Sequence, residues 1–153
     1  MKKPSLLAVL AALLLVAPGF AHADDPASDA KKQEVLGIGG LFFRSEDPKR
    51  LSAWYEEHLG ISPAPISYEH EPWHQAAGPT VFAPFNKDTT YFGRQEQSWM
   101  VNFRVADLKA MVAQLRAASI SVEEPRSHPN GEFARLYDPE GNPIELWEFR
   151  EPQ

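Results

Sequence analysis

Apolar and polar positions change period along this chain, and each change marks an element. Ile144 and Leu146 alternate with Glu145 and Trp147, the period-two signature of a strand. Alternation of this kind, bounded by breakers, predicts strands near 36–44, 61–68, 79–85, 90–92, 98–105, 121–124, 133–137 and 144–149. Two stretches follow the helical period instead. Leu51, Trp54, Tyr55 and Leu59 form one apolar stripe and Leu108, Met111, Val112 and Leu115 another, predicting helices over 48–59 and 108–118. Asp47 is placed to N-cap the first helix, Pro48 suits its opening position and Gly60 its C′ position; Asp107 caps the second. Pro63, Pro65, Pro72 and Gly78 interrupt 62–78, which reads as a long loop over a cavity mouth.

The pattern also repeats. Leu41-x-Phe43-Arg44-x-x-Asp47 returns as Val101-x-Phe103-Arg104-x-x-Asp107 at an offset of 60, and both copies run on into a helix. Near the end, Asp138-Pro139-Glu140-Gly141-Asn142-Pro143 is turn chemistry leading into the strand Ile144-Glu145-Leu146-Trp147. A carboxylate in mid-strand beside a tryptophan is expected to face a ligand cavity rather than a dry core.

These features together resemble the vicinal oxygen chelate superfamily, which includes glyoxalases, bleomycin-resistance proteins and extradiol dioxygenases. The resemblance implies an α+β fold: two paired βαβββ modules forming a curved mixed sheet with a concave ligand cavity. The domain then spans 35–150, with modules at about 35–93 and 98–150 joined by the polar stretch Arg94-Gln95-Glu96-Gln97. If Leu41, Phe43, Val101, Phe103 and Val105 meet the helices, Ile38, Gly40, Phe42, Arg44, Met100, Asn102 and Arg104 fall on the concave side with Glu145 and Trp147.

In metal-dependent members of the superfamily the glutamate at the position of Glu145 is a metal ligand, joined by histidines or glutamine from the other strands. Aligned on Asp47 and Asp107, the histidine positions fall on Gly40 and Met100, and a further position lies near Tyr91. Glycine offers no ligand and a thioether prefers soft metals, so Glu145 stands without a complete set, and no cofactor is expected. A divalent metal held by other residues is the alternative. His70 and His74 flank Trp73 in the proline-broken stretch and read as ligand contacts, a metal pair or plain loop residues, while His128 reads as part of a turn. Arg44 and Arg104 are candidates for an anionic group or for local pairing with Glu46, Asp47 or Asp107. Phe42, Trp73, His74, Tyr91, Trp99 and Trp147 complete the set of ligand-contact candidates, because a chain this small cannot bury every aromatic ring outside the helix stripes.

The N-terminus reads separately. Lys2-Lys3, the apolar run Leu6 to Val16 and Ala21-His22-Ala23 have the form of a secretory signal peptide over 1–23, with cleavage after Ala23 and no membrane anchor afterwards. The polar residues 24–34 read as a disordered spacer. The expected compartment is periplasmic or secreted. The chain has no cysteine, so thiolate ligands, disulfides and a cysteine nucleophile are excluded. After cleavage, residues 24–153 carry 13 basic against 21 acidic side chains, a formal charge of −8 that argues against nucleic acid as a partner.

Two functions emerge from these expectations. One is the binding of a small apolar or aromatic molecule without a complete metal site, in the manner of a bleomycin-resistance protein. The other is a glyoxalase-like lyase or isomerase with Glu145 as catalytic general base, with or without a metal. In either case the cavity closes within one chain or across a homodimer.

Overall fold

The computed structural model describes residues 33–151, so the expected leader 1–23 and nearly all of the spacer lie outside the described residues. The chain divides between Leu41 and Phe42 into two units. Of the first unit, residues 33–41 carry neither helix nor strand.

The larger unit is α+β. Helix α1 spans Pro48–Leu59, strand β1 Val101–Arg104, helix α2 Leu108–Ala117, and strands β2, β3 and β4 Arg126–His128, Gly131–Tyr137 and Pro143–Phe149. Both helices begin as the caps dictate: Asp47 accepts from the Arg50 amide at 3.1 Å and Asp107 from the Ala110 amide at 2.8 Å. Gly60 closes α1 in the left-handed region at φ 68°. The sheet order is β1-β4-β3-β2, with β1 parallel to β4 and the other neighbours antiparallel.

Ile144 and Leu146 of β4 are fully buried, with Ala134 and Leu136 of β3 beside them. Against this face pack Leu51 and Tyr55 of α1 and Leu108, Val112 and Leu115 of α2. The second module, from β1 to β4, is therefore complete as βαβββ, and the first contributes its helix to the same core.

The Asp138–Asn142 turn fastens that helix. Asp138, buried, accepts from the Tyr55 hydroxyl at 3.0 Å and from the Glu140 and Asn142 amides and Asn142 Nδ2 at 2.8–2.9 Å. Glu140 reaches across to the chain just before α1, accepting from Ser45 Oγ at 2.7 Å and from the Asp47 and Glu46 amides at 3.0 and 3.1 Å. The Asp47 amide, more than any other group, holds the Glu140 carboxyl below the ordinary range, with Ser45 helping. Burial and the Asp138 charge push the Tyr55 phenol far upward.

Several expectations need correction. Among the described residues no strand precedes Val101, so 36–44, 61–68, 79–85 and 90–92 are not strands. Pro63, Pro65, Pro79 and Pro84 each lack a ladder donor, and Gly37, Gly39 and Gly40 make ordering 36–44 costly. Residues 86–93 close into turns instead, with the Thr89 amide on the Asn86 carbonyl and the Gly93 amide on that of Thr90. The segment 121–124 shrinks to one bridge, Val122 to Leu136. His128, expected in a turn, ends strand β2, which pairs with β3 as the outer arm of a hairpin. Phe43 and Phe103 are not equivalent. Phe103 meets Tyr55 of α1 edge-on at 6.4 Å, whereas Phe43 lies against Trp99 at 4.6 Å and stays 38% exposed.

Candidate functional site

Alternation along β4 sends Glu145 to the sheet face away from the core, because Ile144 and Leu146 are committed to it. Register then decides its neighbours. Asn102 pairs with Glu145 across the parallel β1–β4 ladder, and Arg135 pairs with it across the antiparallel β3–β4 ladder. Asn102 Nδ2 donates to Glu145 Oε2 at 2.8 Å, and Arg135 Nη2 stands 3.5 Å from Oε1. The segment before β1 supplies a third donor, the Tyr91 hydroxyl, 2.8 Å from Oε1. Arg135 also fixes that segment, since its Nη1 donates to the Tyr91 carbonyl at 2.8 Å and its guanidinium lies 4.5 Å over the Tyr91 ring.

The cluster is compact and polar but bordered by aromatic surface. Phe85 stacks on Tyr91 at 5.2 Å with 12° between the planes, and Phe92 meets Phe85 edge-on at 5.1 Å. Phe85 and Tyr91 are 47% and 40% exposed, so the stack presents aromatic surface to solvent. Burial, more than any other cause, raises the Tyr91 phenol; the Glu145 carboxylate adds to the rise and Arg135 opposes it. Glu145 itself is a fixed hydrogen-bond acceptor rather than a solitary charge.

Of the candidate residues, the fold brings together Glu145, Asn102 and Tyr91. Trp147 shares their face but is buried there: it stacks on Phe133 at 5.7 Å and donates from Nε1 to the Asn130 carbonyl at 3.0 Å, a structural role in place of the cup wall expected. Arg104 sits beside Trp147 in register, yet its Nη1 and Nη2 donate to the Ala77 and Ala76 carbonyls at 3.1 and 2.6 Å. A side chain at Gly78 would run into the same guanidinium, so the loop 76–78 is moulded onto it. Met100 is half-buried, with no polar contact to the cluster.

The remaining candidates lie elsewhere. Trp73 meets Phe103, a core-side ring, edge-on at 6.3 Å. His74 stands exposed 3.6 Å from Glu71, and His70 bonds Ser67 Oγ at 2.7 Å. Phe42 and Arg44 are exposed, Trp99 is held by Phe43, and Gly40 belongs to the other unit. Arg135 escapes the sequence reading, although its signal is present. A hairpin centred on Glu140 pairs 135 with 145, and Arg135 is out of phase with Ala134 and Leu136.

The metal implied by the resemblance does not fit these residues. The groups around Glu145 are an amide, a phenol and a guanidinium, and a cation cannot ligate a cation. Among the described residues no three His, Asp or Glu side chains converge to hold a metal ion. A separate groove of about 850 Å³ runs along α2, lined by Leu108, Val112, Arg116, Glu124, Glu148 and Arg150 among others. Most of its charged side chains are engaged: Arg116 pairs with Glu124 at 2.8 Å, Arg150 with Glu132 at 3.3 Å, and Glu148 accepts from the Leu108 amide at 2.8 Å.

Known proteins share parts of this pattern. A sequence model of the glyoxalase-like domain matches residues 40–147. Among solved structures, a glyoxalase/bleomycin resistance protein from Streptomyces sp. CB03234 is 32% identical over 34% of this chain and 46% of its own, with a TM-score of 0.32. A glyoxalase family protein from Enterococcus faecalis is 27% identical over 32% of this chain and 40% of its own, with a TM-score of 0.31. The match thus spans less than half of either relative. TnmS3, an antibiotic-binding protein from Streptomyces sp. CB03234, is 24% identical over 68% of this chain and 88% of its own, with a TM-score of 0.43. No curated protein matches this chain.

Proposed function

Because the chain belongs to the glyoxalase-like domain family, we propose that it is an exported protein that binds a small apolar or aromatic molecule against the Glu145 face, without a complete metal site. The observation that carries this reading is the Glu145–Tyr91–Arg135–Asn102 cluster beside the exposed Phe85 and Tyr91 rings. Stacking on such rings favours flat ligands, and the engaged carboxylate fixes their orientation. Export to the periplasm with cleavage after Ala23 belongs to the same proposal and stands on the sequence of 1–23. So does a homodimer, because Phe42, Ile66 and Phe82 leave large apolar surface uncovered in one chain.

A second reading, a lyase or isomerase using Glu145, is supported by the 2.8 Å contact between the Tyr91 hydroxyl and the carboxylate, a proton donor and acceptor already in contact. One experiment tests the metal-free site on which the first reading depends. After dialysis against chelator, elemental analysis should find no stoichiometric divalent metal, and Zn, Mn, Ni or Fe(II) should leave the melting temperature unchanged. Specific metal binding would add about 2.7 kcal/mol at a hundredfold excess over Kd. A shift of that size, abolished by Glu145→Gln, would overturn the metal-free reading.

A further inference from the structure

We infer that Arg135 is the specificity-determining residue of this face: by neutralising Glu145 it selects an uncharged aromatic compound that carries a hydroxyl or N–H donor on its edge. The inference rests on the binding reading given above and names its ligand class.

Among the described residues three arginines lie on this face of the sheet, and all are engaged: Arg126, out on β2, pairs with Glu123 at 3.3 Å. Arg135 spends Nη2 on Glu145 and Nη1 on the Tyr91 carbonyl, and Arg104 spends both terminal nitrogens on the Ala76 and Ala77 carbonyls. None of these guanidiniums is offered free to an anionic ligand, and the Glu145 carboxylate lies beside Arg135 to repel one. A cationic ligand fares no better, because Glu145 already has its counter-ion and the side chains of the pair are only 12% and 18% exposed. Both kinds of charge are refused by built-in pairing, a form of negative selection.

What remains on offer is polar but uncharged. Glu145 Oε1 is shared by Tyr91 and Arg135, whereas among the described residues Oε2 takes one bond, from Asn102. A carboxylate oxygen accepts two, so Oε2 keeps one acceptor position. The exposed Phe85–Tyr91 stack stands on the same side, joined to the carboxylate through the Tyr91 hydroxyl. A flat ring laid along that stack brings a hydroxyl or N–H on its edge to Oε2.

Three probes of one shape test this at neutral pH by quenching of intrinsic fluorescence: 2-naphthol, 2-naphthoate and 2-naphthylmethylammonium. The wild-type protein should bind naphthol tightest, by about tenfold or more over either ion. Arg135→Met should move the preference to the ammonium, Glu145→Gln should move it to the carboxylate, and Arg135→Lys should restore the wild-type order. The lysine variant separates charge from structural damage, because a variant that merely misfolds loses all three probes together. If naphthol binds but Arg135→Met keeps the wild-type order, this inference fails and the binding reading survives. If none of the probes quenches the wild-type protein, both fall.

Discussion

The two halves of the chain begin with the same words and end differently. After Leu41-x-Phe43-Arg44-x-x-Asp47 and Val101-x-Phe103-Arg104-x-x-Asp107, each forms a capped helix. Only the second goes on to build a sheet. The difference lies in the residues beyond the helix. Residues 131–149 form two seven-residue strands closed by a turn whose Asp138 satisfies its own amides. The corresponding stretch of the first half, 71–89 at the same offset, is broken by Pro72, Pro79 and Pro84. A local motif sets a helix by itself, whereas a strand exists only if a neighbour accepts its ladder.

The sharpest way to break this contrast is a pair of truncations. Leu146→Ala empties a fully buried position in β4 and should cost about 2–5 kcal/mol in urea unfolding. Val81→Ala trims a side chain that is 70% exposed and should stay within about 0.5 kcal/mol. A comparable loss at both positions would show that the first half is packed as tightly as the second.

The same contrast explains what could be read from the sequence. Helix α1 is legible to the residue, since Asp47, Pro48 and Gly60 mark its ends and its stripe is local. Strand β4 is legible from the alternation of Ile144, Glu145, Leu146 and Trp147, and so is the outward direction of Glu145. The company Glu145 keeps is half legible. Asn102 and Tyr91 are among the sequence candidates, while Arg135 requires strand register, which depends on counting both arms of the hairpin together. Trp147 falls on the expected face with a different role, because nothing in its own strand reveals that Phe133 and Asn130 cover it. Trp73 and His74 lie away from the cluster for a simpler reason: no periodicity governs a proline-rich loop, so its side chains cannot be placed from sequence.

A smaller effect tests how the two halves are joined. Asp138→Ala should destabilise by about 1–3 kcal/mol, because the buried Tyr55 hydroxyl loses its acceptor. Tyr55→Phe should cost less, since Asp138 keeps its turn donors. In a double-mutant cycle the two losses should fall short of additive. Strict additivity would mean that the turn and α1 are fastened by other contacts.

The smallest effect is the most specific, and it comes from Glu140. Its carboxylate accepts from the Asp47 amide, from Ser45 Oγ and from the Glu46 amide, all of them in the chain entering α1. These bonds favour the charged form, which is why its pKa lies below the ordinary glutamate value. A carboxyl depressed in the folded state stabilises folding fully above its unfolded pKa. That contribution is lost as pH falls through the lower, folded value. Glu140→Gln keeps an acceptor oxygen but no charge, so it should melt below the wild-type protein at neutral pH. The gap should close on acidification, beginning where glutamate ordinarily titrates. The measurement is melting temperature against pH for the two proteins side by side. A gap that stays constant into the acid would assign the Ser45–Asp47 contact no ionic component, leaving Asp138 and Tyr55 to fasten the helix of one half to the sheet of the other.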